Sequence, residues 1–345
     1  MTDLPESLSE RQLRILTTVV AEYIATGHPV GSKWLVQTGA VEASPSTVRY
    51  ELAELEARGL LNHPHTSAGR VPTDAGYRLY AEGLLEQPLG AAPLGVDLRP
   101  LRTEIDTALR TTTEMLSHVS SLMALVTAPS LDTTEIRHVE VLLLQPQVVM
   151  VVVITSSGGV TKKIFPFASS VDPKLAEWAG AFLNEQLAGV RVGSHALQQR
   201  LAEPGLGPRE VEFLEAVKPA LTELVQSGEQ TLYVGGATRL LEEMRFADLA
   251  EINDLVRVLE ERVGLLELLR ASLDRQRLYV RIGQENRLPH MRALAMVAQN
   301  YGVAARNLGT VSLIGPMRMD YTTAIRSVRG AAAALSELVG DVFED

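Results

Sequence analysis

Two short stretches of this 345-residue chain carry side chains suited to contacting a polyanionic backbone and the base edges beside it. The first, "SPSTVRYEL" at residues 44–52, opens with Ser44 and Pro45 in the order that starts a helix. At about 100° per residue, Val48, Leu52 and Leu55 fall in a narrow arc, whereas Ser46, Arg49, Tyr50, Ala53 and Ala57 face the other way. That outward side is small and neutral except for one arginine and one tyrosine near the helix start. A guanidinium such as Arg49 can span O6 and N7 of guanine, and the free N–H groups around Ser44, Ser46 and Thr47 suit a phosphate oxygen. The second stretch is "HPHTSAGRVPT", residues 63–73. His65, Thr66, Ser67 and Gly69 combine small donors with little bulk, so this loop can approach a sugar–phosphate chain closely. Arg70 supplies a charge at its base that can enter a neighbouring minor groove, and Lys33 is a further phosphate-contact candidate.

These side chains need a frame. Ser9 and Gln12 stand at capping-box spacing, Leu13, Leu16, Val20 and Ile24 form a stripe, and Gly27 can close the helix they predict over 9–26. A short helix is expected over 32–38 and a third over 45–58, ended by Gly59. Leu60–Asn62 and Arg70–Pro72 read as two short strands joined by "PHTSAG", and a further helix starts at Thr73. Three helices and a hairpin make a winged helix-turn-helix, placed at residues 1–87. Residues 88–100, within "QPLGAAPLGVDLRP", read as a linker. A long amphipathic helix is expected from Leu101 to Val126. Strands follow at 138–144, 148–155, 160–165, 231–236, 277–282 and 307–314, with a strand or helix near 292–300 and a closing helix over 320–339. The second half reads as a multidomain α+β arrangement, an antiparallel sheet with helices.

Charge by itself argues against a nucleic-acid partner. The chain carries a formal net charge of −10, and residues 1–88 hold seven Lys/Arg against eleven Asp/Glu. A DNA contact must therefore rest on a local cationic face, here Lys33, Arg49, Arg70 and Arg78. Four such contacts bind weakly and are easily screened, so useful affinity calls for a dimer reading two half-sites. With no cysteine, thiolate nucleophiles and disulfides are excluded. His63 and His65 have no third metal ligand nearby in sequence, no GxSxG, GxGxxG or Walker pattern occurs, and His118 and His138 read as core or interface residues. No catalysis, cofactor or metal is expected. The opening residues lack a signal-peptide pattern and the apolar run 148–154 is too short to span a bilayer, so the expected location is cytoplasmic, away from membranes.

Residues 44–80, "SPSTVRYELAELEARGLLNHPHTSAGRVPTDAGYRLY", resemble the HrcA family of bacterial heat-inducible transcription repressors. The likeness continues in "LYVGG" (232–236), "RIGQEN" (281–286) and "LGTVSLIGPMRMDYTTAIRSV" (308–328), so it spans nearly the whole chain. Tyr50 departs from it, standing where the family commonly has asparagine. The resemblance implies a winged helix followed by a GAF-like domain (101–190 and 266–345) interrupted by a helix-rich dimerisation domain, set at 191–265. It implies a non-enzymatic homodimer that binds double-stranded DNA at an inverted-repeat operator and represses chaperone operons of the groE and dnaK type. It also implies that the chaperonin GroEL keeps the repressor active until heat diverts it. The competing reading is a metabolite-responsive repressor with an effector pocket in the GAF-like domain. The segment "VVMVVVI", uncharged and strongly β-forming, is the expected aggregation liability of a chaperone-dependent protein.

Overall fold

The computed structural model describes residues 8–64, 69–101, 105–129, 135–156, 160–190, 206–226, 232–243, 262–270, 278–303 and 306–343, with Arg200 and Arg257. Helix α1 (Glu10–Thr26) begins in the expected capping box. The Ser9 hydroxyl accepts from the Gln12 amide, the Gln12 side chain accepts from the Ser9 amide, and Gly27 closes the helix at φ +70°. Next come α2 (Ser32–Gln37) and α3 (Pro45–Ala57), the latter capped by Ser44. Strands β1 (Leu61–Asn62) and β2 (Val71–Pro72) pair antiparallel. A bridge between Val30 and Arg70 ties this hairpin to the α1–α2 connection. Gly69 is required there, because a Cβ at that position would lie 2.3 Å from the Val30 carbonyl carbon. Helix α4 (Asp74–Glu86) completes a four-helix head.

The head sits on a five-stranded antiparallel sheet. Its strands are β3 (Met123–Thr127), β7 (Leu232–Gly235), β8 (Tyr279–Ile282), β9 (Leu294–Val303) and β10 (Arg306–Pro316), in the order β7-β3-β10-β9-β8. One face of the sheet shares a single apolar core with the head, with α5 (Ile105–Ser120) and with the closing helix α10 (Tyr321–Phe343). The other face packs against α8 (Ala237–Glu243) and α9 (Arg262–Arg270) through Leu240, Leu265, Leu268 and Leu269. The segment near 292–300, open between strand and helix by pattern, is β9.

Between β3 and β7 the chain leaves this sheet. Strands β4 (Ile136–Gln145), β5 (Val148–Thr155) and β6 (Val160–Pro166) form a separate antiparallel meander. Helices α6 (Pro173–Leu187) and α7 (Pro208–Gln226) cover one of its faces, and the core between them is distinct from the other two.

Three expectations change. The helix expected to reach Val126 is described from Ile105 and ends at Ser120; Ser121 turns the chain at φ +56° and residues 123–127 form a strand buried along its whole length. Val119, Met123 and Val126 continue the helical spacing, but a strand covered on both faces also reads as an unbroken apolar run, and periodicity does not separate the two. Next, strands 138–165 were expected in one sheet with the first part of the GAF-like domain. They build a sheet of their own, and β3 pairs with β7 across the gap, Val126 opposite Tyr233. The chain therefore leaves the five-stranded sheet before residue 136. Lastly, the 88–100 segment is pinned along α10. The Ala92 amide donates to the Arg326 carbonyl at 2.9 Å, and the Arg329 guanidinium donates to the Leu89 carbonyl.

Candidate nucleic-acid interface

Helix α3 is mounted by its inner side. Val48, Leu52 and Leu55 are buried as the helical arc requires, and Glu51 is buried beside them. This carboxylate accepts from Arg11 Nε at 2.8 Å and Gln12 Nε2 at 3.0 Å, and it makes a second contact with the Arg11 guanidinium. Gln12 thus caps its own helix with one end of its amide and holds α3 with the other. Charge-assisted bonds of this kind fix orientation as well as adding energy. Glu51 escaped the sequence reading, although an acidic residue inside an otherwise apolar arc was the available signal.

The outer side is open. Ser44, Ser46, Arg49 and Tyr50 are exposed, Tyr50 at 65%, and Thr47 is half-buried. The Ser44 hydroxyl accepts from the Thr47 amide at 3.2 Å and lies 2.7 Å from Ser46 Oγ and 2.9 Å from Thr47 Oγ1. The first turn therefore presents clustered hydroxyls with Arg49 on the following turn. Lys33, near the start of α2, is also exposed. Neither Lys33 nor Arg49 has an ion-pair partner among the described residues.

Other expected cations are engaged elsewhere. Arg70, the charge expected at the base of the loop, pairs with Glu56 at 2.7 Å and its side chain is only 16% exposed. Glu56 lies near the end of α3, within reach of the hairpin base, and a half-buried guanidinium gains more from that carboxylate than from partial hydration. Arg78 turns away from the α3 face towards Glu285. His65, Thr66 and Ser67 lie outside the described residues. His118 is exposed and His138 is 44% exposed, with its Nε2 2.8 Å from Glu140 Oε2, so neither is a core residue. No helix among the described residues is long and apolar enough to cross a membrane.

Comparison with known proteins adds an independent line. The family model for the HrcA protein C-terminal domain matches residues 106–325. The heat-inducible transcription repressor HrcA of Nocardia farcinica is 34% identical, covering 99% of this chain and 100% of that protein. The repressor of the same name from Thermobifida fusca is 32% identical, covering 98% and 99% respectively. A crystal structure described only as that of a hypothetical protein superposes with a TM-score of 0.64 at 23% identity, covering 97% of this chain and all of that one. That likeness supports the mixed helix and antiparallel-sheet fold. With a family-model match over most of its length and end-to-end relatives above 30% identity, the chain belongs to the HrcA family of heat-inducible transcription repressors.

Proposed function

We propose that the chain represses transcription by inserting α3 into the major groove of an operator, as a winged helix-turn-helix, with no catalytic step. One observation carries the reading. The side of α3 with Ser44, Ser46, Thr47, Arg49 and Tyr50 at its leading end, flanked by acidic groups only at Glu54 and Glu56 further along, is uncovered while its opposite side is bound to α1 through Glu51. Arg49 is the base-reading candidate, Tyr50 contacts a base edge or methyl group, and Lys33 meets phosphate. His65, Thr66 and Ser67 at the hairpin tip are proposed backbone contacts, with Arg70 beside them as a secondary one. If Arg49 reads guanine, Arg49→Ala costs about 1–3 kcal/mol per half-site and relaxes base preference there. Unchanged affinity and preference in a titration against selected DNA would remove α3 from the reading role.

Two half-sites require two copies, and the excursion offers the surface. On the face of β4–β6 away from α6 and α7, Leu142, Met150 and Ile164 align in one row, Glu140, Val152 and Lys162 in the next, and His138, Ile154 and Val160 in a third. Leu142, Val160 and Ile164 are 39%, 62% and 56% exposed, a contiguous apolar face of the kind that marks an interaction surface. A second copy is the proposed occupant, because the charged row is self-complementary. With a two-fold axis running along β5, β4 of one copy faces β6 of the other, and each Glu140 meets the Lys162 of its neighbour. An in-plane axis across the strands through the Val152 row would set Glu140 against Glu140.

The targets proposed are inverted-repeat operators of chaperonin and DnaK-type operons, and the proposed partner is the chaperonin GroEL, which keeps the repressor active until heat diverts it. These assignments rest on the family likeness. Footprinting upstream of both operons, with and without chaperonin, tests them: protection that strengthens with chaperonin supports the scheme, and no protection at either operon ends it.

A further inference from the structure

The head meets the core through a polar contact that an ordinary packing surface does not need. Arg78 of α4 donates from Nε to Glu285 Oε1 at 2.6 Å, makes a second bond to the other oxygen of that carboxylate, and reaches the Val280 carbonyl at 2.7 Å. Glu285 is pre-aimed, since its Oε2 also accepts from the Ile282 amide at 2.9 Å. One turn earlier on α4, Asp74 Oδ2 accepts from the Gln284 amide at 3.1 Å. The intervening Gly283 has φ +54°, and a Cβ there would stand 1.9 Å from the same Asp74 oxygen. Four consecutive residues, from Ile282 at the end of β8 to Glu285, are thus shaped around two side chains of α4.

This contact is coupled to the DNA-facing helix. Thr73, the N-cap of α4, donates its hydroxyl to the Gly59 carbonyl at 2.6 Å and its amide to the Leu60 carbonyl at 3.2 Å, immediately after α3. A change in the angle of α4 therefore moves α3. The apolar packing of Tyr77 on Tyr321, ring centroids 6.2 Å apart, holds the head on the core, while the directional polar bonds define its angle. The outer side of α3 stays open in this arrangement, so the contact is compatible with DNA binding and does not mask it.

We propose that Arg78–Glu285 and Asp74–Gln284 form a positioning joint that fixes the separation and phase of the two heads of a dimer, so that the repressor selects operators by half-site spacing. The proposal rests on the DNA-reading function argued above. Heads on loose tethers accept many spacings, because effective concentration falls only slowly with linker length. Heads held rigidly accept only spacings that return both helices to one side of the duplex.

The test uses the full-length protein and a duplex inverted repeat selected from random DNA by the wild type, together with its single half-site and versions lengthened by about half a helical turn. Arg78→Ala removes the guanidinium, and Glu285→Gln removes the charge while keeping an oxygen for the Ile282 amide. Both are expected to bind the half-site within about twofold of wild type, to bind the parent repeat roughly tenfold more weakly, and to lose about tenfold of the preference for parent over lengthened spacing. Because the chain lacks cysteine, Asp74→Cys with Gln284→Cys, joined by a short thiol cross-linker, should restore the spacing preference to Arg78→Ala. Variants that melt like wild type and keep its spacing preference overturn the joint, as does equal weakening on half-site and full repeat. A wild type that binds no duplex in a salt-dependent way fails differently, by removing the DNA-reading function itself.

Discussion

The head and the three-stranded excursion solve opposite problems with similar residues. The head shares one continuous apolar core with the five-stranded sheet, from Ile15 and Leu16 in α1 to Leu335 in α10, and its polar bonds to the core are directional. The excursion keeps its own core, centred on Val149, Val151, Val153 and Leu183, and leaves the alternate residues of the same strands exposed or half-buried. A head proposed to read DNA gains from being rigid with respect to the body that carries it. A sheet apolar on both faces gains from a second copy, and is hazardous without one. The "VVMVVVI" segment lies at the centre of that sheet as β5, with its even-numbered residues only half-buried. The liability expected from composition thus falls on one face, the face proposed above to meet a second copy.

The largest expected effects separate the two cores. Leu16→Ala and Leu183→Ala each remove a fully buried side chain and should cost about 2–5 kcal/mol. Hydrogen exchange should report the first as loosening head and sheet together and the second as confined to residues 136–217. If Leu183→Ala loosened the head equally, the separation into two cooperative units would be wrong. Next, Ile164→Glu puts a charge on the open face, and sedimentation should show weakening of self-association by about 2 kcal/mol or more with the monomer fold intact. An unchanged oligomer would place the dimer contact elsewhere. Glu51→Ala comes third: losing the charge-assisted bonds to Arg11 and Gln12 should lower stability by about 1–3 kcal/mol, read as a fall in the denaturant midpoint. Smallest is Arg70→Ala. Because Glu56 already holds this guanidinium, the slope of log affinity against log salt should change by less than about one unit, whereas Lys33→Ala should lower it by close to one. A full-unit loss at Arg70 would mean that DNA takes it from Glu56.

The head was the more legible region. Ser9 with Gln12, Ser44 with Pro45, and Thr73 each start a helix where the pattern places one, because capping is settled within a single turn. The exposed side of α3 followed from the arc of Val48, Leu52 and Leu55. The site was less legible where it depends on partners far away in the chain. Arg70 could be recognised as a cation at a loop base but not as the mate of Glu56, and Arg78 gave no hint of Glu285.

The division follows the range of the forces involved. Caps, apolar stripes and turn residues act over a few positions, so helix starts, the hairpin and six of the later strands could be read in order from residue types. Strand partners are chosen by contacts between distant segments: β3 lies next to β7 more than a hundred residues later, and only folding reveals that the chain between them builds a second sheet. The same holds for Met123–Thr127, whose apolar run satisfies helix and strand alike until burial on both faces settles it.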